Sequence, residues 1–321
     1  MQNQPPVVVI GAGRWGKNLV RNFYELSALA GIVEVNPSLC QMMGELYPEI
    51  PIYQKIPDSQ ALNYQALVIA TPAPTHYDIA RSALLLGKDV FVEKPMTLEP
   101  RQAEELAELA DQRGLILMVG HLLLYQPAIL WLKEYIHSGR LGTIQHIATQ
   151  RANLGTVRTT ENALWSLGVH DLAVILYLLE HPAITDLSVQ GDYFLNSGQA
   201  DNVHLHLRFA NGCSAHLHTS WFWHDRCRQT IVLGTHKMVL YDEIQQQVKV
   251  YHQFIDEALA PHKEGIETVD IAHAEPLRLE CAHFLECVAR RTRPRADGWH
   301  GAAVVAVLAQ AQQQLHMLGE K

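Results

Sequence analysis

The chain has 321 residues, 48% hydrophobic and 18% charged, with 25 Lys and Arg against 33 Asp and Glu for a formal charge of −8. That length suggests two domains with ample core, and the ordinary apolar content, free of long polar tracts, excludes a disordered chain. The acidic balance gives no basic field for a phosphate backbone and no uncharged apolar run reaches the ~20 residues of a membrane span, so neither nucleic acid nor membrane is expected as a partner.

The first 120 residues alternate between two periods. Val7–Ile10, Leu29–Val35, Ala66–Ala70, Val90–Val92 and Leu115–Val119 have strand length and apolar, β-branched character. Between them lie segments with helical spacing, such as Ala103, Leu106, Ala107 and Ala110 among glutamates. Strand, helix, strand in repetition predicts parallel strands joined by helical crossovers, with both sheet faces covered.

After about residue 121 the pattern changes. A helix over Pro127 to about His137 precedes a strand at Thr143–Gln150, and a long apolar helix runs from about Glu161 to Leu179. Strands follow at Ile184–Asp192, Val203–Phe209, Ser214–Ser220, Arg228–Gly234, Lys237–Asp242 and Gln247–Tyr251. Asn211-Gly212 between two alternating runs predicts a two-residue hairpin. Two amphipathic helices close the chain, the first with Leu277, Cys281, Phe284, Leu285 and Val288 on one stripe. Consecutive hairpins predict an antiparallel sheet with helices on one face. No Gly/Ser linker marks the boundary, so the domains are expected to pack closely around a cleft.

Val7-Val8-Val9-Ile10 runs directly into Gly11-Ala12-Gly13-Arg14-Trp15-Gly16, and a helical pattern with Leu19, Val20 and Phe23 follows. A G-x-G-x-x-G motif between a strand and a helix is the dinucleotide-binding context. Gly11 makes the tight turn, Gly13 lets backbone approach a pyrophosphate, Gly16 lets the helix pack on the strand, and the helix N-terminus faces the phosphates. Glu34 ends the second strand, where an acid hydrogen-bonds the adenosine ribose; its charge repels a 2′-phosphate, so the expected cofactor is NAD rather than NADP. The fold class expected is α/β, with an N-terminal Rossmann domain over 1–121 built on a parallel sheet. A C-terminal α+β domain over 122–321, with a large open-faced antiparallel sheet, would bind substrate and carry oligomerisation.

Four further motifs stand in order along the chain: Ala70-Thr71-Pro72-Ala73-Pro74-Thr75-His76, Glu93-Lys94-Pro95, Gly168-Val169-His170-Asp171-Leu172 and Asp297-Gly298. With the glycine turn they resemble the glucose-fructose oxidoreductase, inositol dehydrogenase and rhizopine-catabolism (Gfo/Idh/MocA) family of NAD(P)-dependent sugar oxidoreductases. Trp15–Phe23, Gly120–Tyr125, Arg151–Gly155 and Glu161–Trp165 are similar to its nucleotide-sugar branch, which oxidises the sugar of a UDP-linked N-acetylhexosamine, or its uronic acid, at position three. The resemblance implies that Gly11, Gly13, Arg14, Trp15, Gly16, Glu34, Thr71, Pro72, His76, Glu93 and Lys94 bind the cofactor. It implies that Lys94, His121, Arg151, Asn153, Arg158, His170 and Asp171 bind a UDP-sugar substrate, and that Lys94 and His170 are catalytic. A dehydrogenase of a free sugar or cyclitol such as inositol, and an NAD-binding regulator without catalysis, are the alternatives.

The chemistry of these residue types fits those roles. Oxidising a secondary alcohol requires a base for the hydroxyl proton while hydride leaves. Lys94 ends a strand, where open α/β sheets bind ligands, and its ammonium can stabilise a developing alkoxide. Taken alone, it reads as a solvated surface lysine. Pro95 fixes the chain direction after it, through a trans or a cis bond. His170 titrates near ~6.5, as a base or proton relay does, or is a hydrogen-bonded histidine of an apolar helix. Many family members carry Asp four residues before this His, where this chain has Ser166; Asp171 lies about 100° around the helix as a doubtful substitute. Arg151, Asn153 and Arg158 suit a diphosphate and equally suit ordinary loop and sheet-edge solvation.

Eighteen histidines raise the question of a metal, especially His204-Leu205-His206 and His216-Leu217-His218. A two-residue turn at Asn211-Gly212 sets His206 opposite Leu217 and His216 opposite Leu207, so the pairs project from opposite faces; a one-residue slip would unite them. Cys281, His283 and Cys287 share a helix at offsets that do not converge. No metal is expected. The 5 cysteines, odd in number and unclustered, fit a reducing cytoplasm, and no signal peptide is evident. Trp221 and Trp223 alternate onto one face beside the open sheet. That face predicts a homo-oligomer, a dimer or tetramer, through the C-terminal sheet, with core packing as the other reading of the tryptophans.

Overall fold

The computed structural model of the chain describes residues 4–57, 62–195, 198–256 and 258–319. They form two compact units, one running to Leu122 and taking in Glu275–Ala306, the other formed by Leu123–Ala274 with the chain from Val307 onward.

The first unit is built on six strands: β1 (Val7–Ile10), β2 (Leu29–Val33), β3 (Ile52–Tyr53), β4 (Ala66–Ile69), β5 (Asp89–Glu93) and β6 (Leu117–Gly120). All pair in parallel, in the order β3-β2-β1-β4-β5-β6. β1, β4, β5 and β6 are buried along their whole length, as strands covered on both faces must be. The covering helices are α1 (Gly16–Glu25), α2 (Pro37–Leu46), α3 (His76–Leu85) and α4 (Pro100–Arg113). Their ends follow local chemistry: the Asn36 side chain accepts from the Ser38 and Leu39 amides ahead of α2, and Gly114 closes α4 at φ +61°. β3 has two residues and no apolar run, and sequence periodicity does not find it.

The second unit comprises α5 (Pro127–His137), β7 (Ile144–Leu154), a π-helical turn at Leu164–Gly168, α6 (Val169–Leu179), and β8 (Ile184–Asp192), β9 (Asn202–Phe209), β10 (Ser214–Ser220), β11 (Phe222–Gly234), β12 (Met238–Asp242), β13 (Gln247–Ile255) and β14 (Pro261–Val269). The sheet order is β14-β13-β12-β11-β7-β10-β9-β8. Every pair is antiparallel except β7 with β10, so the sheet is mixed rather than wholly antiparallel as expected. Val203, Leu205, Leu207 and Phe209 turn inward and are buried. The π turn packs against this inner face so closely that a Cβ on Gly168 would lie 3.0 Å from Thr219 and 3.2 Å from Leu217 side chains. β14 is exposed almost throughout and carries no alternation, so it too escapes a reading of the sequence.

The β9–β10 hairpin corrects the predicted register. A two-residue type I′ turn needs positive φ at both central residues, and only Gly212, at φ +83°, has it. The Gly212 amide donates to Phe209 O at 3.0 Å and the Phe209 amide to Cys213 O at 2.9 Å, which makes a three-residue loop with glycine in the left-handed position. The register shifts by one: His216 faces His206 and His218 faces His204. All four histidines share the outer face. Trp221 and Trp223 also diverge from expectation. Trp221 is 1% exposed and donates to Asp201 Oδ1 at 2.5 Å, whereas Trp223, 42% exposed, meets the His218 ring edge on.

The closing helices are α7 (Pro276–Arg290) and α8 (Gly298–Gly319). A single boundary at 121/122 assigns α7 to the second domain, and packing corrects this. Phe284 of α7 meets Phe23 of α1 and Phe91 of β5 edge to face, with ring centroids 6.3 and 5.7 Å away. Arg291, just past α7, donates to buried Asp89 at 2.7 Å, and Asp89 also accepts from the Ile116 amide, tying together the starts of β5 and β6. The predicted stripe of Leu277, Cys281, Phe284, Leu285 and Val288 is buried throughout. His283 and Cys287 do converge, at 3.5 Å, while Cys281 is buried away from solvent. Phe284→Ala removes the centre of this aromatic triad and is expected to cost about 3–5 kcal/mol, read as a lowered denaturation midpoint of the first unit. A shift corresponding to under ~1 kcal/mol would show that α7 is peripheral.

Candidate functional site

Parallel strands end together, and the loops after their carboxyl ends bring most sequence-predicted residues of the first unit to one rim. Gly11 follows β1 at φ +89°, where a Cβ would lie 2.8 Å from Ala70 O. A Cβ on Gly16 would fall 2.0 Å from Gly11 O, so the helix starts directly against the turn. Gly13 has nothing within 4 Å of that position, leaving an open approach to backbone. α1 has no side-chain cap at Trp15 and no acid in its first turn, so no residue of the helix itself offsets its positive end. Arg14 and Trp15 are exposed beside it. These features fit a pyrophosphate.

Glu34 lies just past β2. Its Oε2 accepts from the Ala12 amide at 2.7 Å and its Oε1 from Val35 and Asn36 amides at 2.8 and 2.9 Å. The carboxylate is thus clamped to the glycine turn, with about one of its ~4 acceptor positions left for a hydroxyl.

Thr71 and Pro72 follow β4, and the buried His76 ring sits 2.8 Å from both Thr71 O and Pro95 O. Burial lowers its pKa, so the neutral ring donates to one carbonyl and fastens that loop to the chain after Lys94. Lys94 is half-buried, and its bond to Pro95 is cis. Glu93, 8% exposed, accepts from the Trp15 indole at 2.6 Å and from the Lys94 amide at 3.2 Å. Its carboxyl lies over Gly120, where a Cβ would approach to 3.0 Å. Burial raises its pKa to about 7, against the pull of Trp15 and Lys94. Between the ordinary carboxyl range and pH 7 the folded chain therefore keeps a proton that the unfolded chain releases, and this group's contribution to stability falls as pH rises through that window. His121, 2% exposed, has no hydrogen-bond partner among the described residues and meets the His300 ring at 5.2 Å. Burial, then the Lys94 charge, lowers its pKa to about 3. It is neutral at working pH.

In the second unit the structure brings Arg151 and Asp171 together. Arg151, 5% exposed, donates through Nε and Nη2 to Asp171 at 2.7 and 3.1 Å and through Nη2 to Glu243 at 2.8 Å; Arg228 reaches Glu243 at 2.8 Å. Burial opposes ionisation of Glu243, but Arg151 and Arg228 outweigh it and hold its pKa below the ordinary glutamate value. These contacts place Arg151 and Asp171 in an internal ion-pair network that ties α6 to β7. Asn153 is half-buried further along β7, and Arg158, exposed in the following loop, pairs with Glu161 at 3.2 Å. His170 stands second in α6, half-buried, directly after the π turn that contains Ser166. π turns are frequent at functional sites.

Reading the sequence missed Glu243 and Arg228, and also the Trp15–Glu93 and His121–His300 contacts. The first two depend on β11 and β12 pairing beside β7, across some 90 residues of chain, and no local pattern signals them. Among the described residues no group of three or more His, Cys, Asp or Glu is arranged to hold a metal ion. No described helix is long and apolar enough to cross a membrane.

Comparison with known proteins agrees with this architecture. Residues 6–121 match the model of the oxidoreductase family with an NAD-binding Rossmann fold, and residues 129–240 that of the GFO/IDH/MocA C-terminal domain. The chain belongs to the GFO/IDH/MocA oxidoreductases. It is 26% identical to the UDP-N-acetylglucosamine 3-dehydrogenase of Acidithiobacillus ferrooxidans over 95% of both chains, and a structure of that enzyme covers 97% of each chain at a TM-score of 0.83. It is 25% identical to the NAD(+)-dependent scyllo-inositol 2-dehydrogenase of Bacillus subtilis over 92% of this chain and 89% of that one. It is also 25% identical to the NADP(+)-dependent D-xylose 1-dehydrogenase of Haloarcula marismortui, over 78% and 72%. The protein is a nicotinamide-binding oxidoreductase of a family that acts on sugars and cyclitols.

Asp171→Ala leaves Arg151 buried with one carboxylate. The expected cost is about 3–5 kcal/mol, because Glu243, shared with Arg228, then balances only one of two guanidinium groups. Urea denaturation checks it; a loss below ~1 kcal/mol would mean that water reaches the guanidinium.

Proposed function

We propose that the chain is an NAD-dependent dehydrogenase that oxidises a secondary hydroxyl, at position three, of a UDP-linked N-acetylhexosamine. The observation that carries this reading is Lys94 at the carboxyl end of β5, on the same rim as an open glycine turn, in a chain matching a UDP-N-acetylglucosamine 3-dehydrogenase along nearly its whole length. A bound nicotinamide supplies the hydride acceptor. Gly11, Gly13 and Gly16 with the start of α1 hold its phosphates, and Thr71, Pro72 and His76 shape the loop after β4. Glu34 selects NAD because a fixed carboxylate repels a 2′-phosphate. Lys94 hydrogen-bonds the reacting oxygen and stabilises the alkoxide, and His170 takes the hydroxyl proton. Asn153 and Arg158 face the sugar nucleotide.

One observation favours a second reading, a free cyclitol or sugar. Arg151, expected to meet a diphosphate, is committed to Asp171 and Glu243. We further propose a cytoplasmic homo-oligomer, dimer or tetramer, formed through the outer face of the eight-stranded sheet. Its support is five free cysteines and the half-exposed Ile144, Ile231, Leu240 and Met238 on that face.

Formation of reduced nicotinamide is measured with UDP-N-acetylglucosamine, scyllo-inositol and D-xylose in parallel. Turnover with the UDP-sugar, and at least ~10-fold less kcat/KM with the others, is expected; the reverse order would assign the cyclitol reading. Lys94→Ala should keep NAD affinity and lose about 10²–10³-fold in kcat, the scale of one removed oxyanion donor. A loss under ~3-fold would take Lys94 out of the mechanism. NAD should bind more tightly than NADP, with the preference shrinking in Glu34→Ala. Tighter NADP binding by the parent would overturn the role of Glu34.

A further inference from the structure

The corrected hairpin register gathers histidines that the proposed reaction does not use. On the outer face His204 faces His218, and His206 faces His216. The His204 and His218 rings stack at 4.3 Å and 4°, His204 and His216 lie 5.6 Å apart, and His206 and His216 lie 6.5 Å apart. His146 of β7 extends the ladder through Ser214, which it meets at 2.8 Å.

The ladder is wired for neutral rings. Asn202 Oδ1 accepts from His218 Nε2 at 2.7 Å, while Asn202 Nδ2 donates to Asp192 at 2.8 Å and to His204 Nε2 at 3.3 Å. His204 Nε2 can accept only while unprotonated. A proton there breaks the Asn202 contact and sets a cation against a stacked ring. Burial first, and neighbouring imidazoles second, lower the pKa of His216 and His146 and take His218 to about 4, with Asp192 pulling weakly the other way.

The rest of this face is nearly balanced in charge. By register β8 contributes Asp186 and Asp192, β9 Arg208, β12 Asp242 and β13 Lys249 and Tyr251. β7 adds the uncharged Gln150, and β11 adds Gln229 and the thiol of Cys227. Trp223 covers the edge of His218. Beside the ladder lie Ile231, Leu233, Met238 and Leu240, an apolar block. At neutral pH two copies of this face meet without like-charge repulsion; with the ladder protonated each copy brings up to five new cations.

We propose that the outer face of the eight-stranded sheet is a self-association surface made acid-labile by its histidine ladder, seating a second copy of the chain when the rings are neutral and releasing it when they are protonated. This rests on the oligomer reading given above. The area suits that occupant: eight strands about 4.8 Å apart, with about four outward residues each, span on the order of 900 Å², close to the ~800 Å² per partner of a stable interface. Assembly excludes more water from His146, His216 and His218, whose protonation burial already opposes. The contribution of His218 is therefore full above about pH 6.5 and is lost as pH falls toward about 4, and those of His146 and His216 are lost in the same direction.

Sedimentation velocity over a concentration series at pH 7.5 and 5.0, at fixed salt, tests the proposal on the full chain. The parent should be oligomeric at pH 7.5 and dissociate at least ~10-fold more readily at pH 5.0, the factor that one proton taken up over one pH unit supplies. The double exchange His206→Gln and His216→Gln should flatten this dependence. The single exchange His206→Gln, at the rim of the ladder, carries the test if far-ultraviolet circular dichroism shows the double variant misfolded. A parent that is monomeric at pH 7.5 overturns the oligomer reading itself. An oligomer equally stable at both pH values, or variants that dissociate in acid as the parent does, overturns the ladder's role and leaves assembly standing.

Discussion

Parallel pairing is the constraint on which the first unit depends. Ile10 registers with Val33 and Ile69, Ile69 with Val92, and Glu93 with Gly120, so neighbouring strands stop nearly level. The next residue of each chain segment then falls on one rim: Gly11, Glu34, Ala70, Lys94 and His121. Nothing else has to bring the glycine turn, Glu34 and Lys94 to one place. The strand order reverses beside β1, between β2 and β4, which opens the crevice where doubly wound sheets take ligands.

That economy places carboxylates in low-dielectric surroundings, and each is handled differently. Glu34 is satisfied by three backbone amides, donors that cannot swing away. Asp89 is met by Arg291 and an amide, and so serves as a fastener. Among the described residues Glu93 receives an indole and one long amide bond, and burial raises its pKa to about 7. Its charge therefore changes near pH 7, one residue from Lys94 and in contact with Trp15 of the glycine turn. The same burial rule produces an anchor at Asp89 and a titrating group at Glu93, and the number of fixed donors decides which.

The sequence made legible what is local. β1, β8, β10 and α5 lie where apolar periodicity puts them, and the glycine turn and the residues after β4 and β5 are where motif spacing puts them. What was not legible depends on distant partners or on a single dihedral. One residue, Asn211, keeps negative φ, and the hairpin register with every facing side chain shifts accordingly. α7 carries a visible apolar stripe, but only Phe23 and Phe91 reveal which unit it completes. β14 sits at a sheet edge with polar side chains on both faces, the composition that keeps edges from pairing further, and polar strands have no period to read.

Arg151 illustrates the larger difficulty, that residue type marks chemistry without marking its recipient. A sequence reading gives its guanidinium to a phosphate, and the fold gives it to Asp171 and Glu243. The consequence reaches His170, one residue before Asp171. Asp171 meets Arg151 through both oxygens, so the carboxylate beside His170 is shared with the ion-pair network, in a chain that has Ser166 where many relatives carry an aspartate. In the proposed mechanism the ammonium of Lys94, held at the carboxyl end of β5, is the group that stabilises charge at the reacting oxygen.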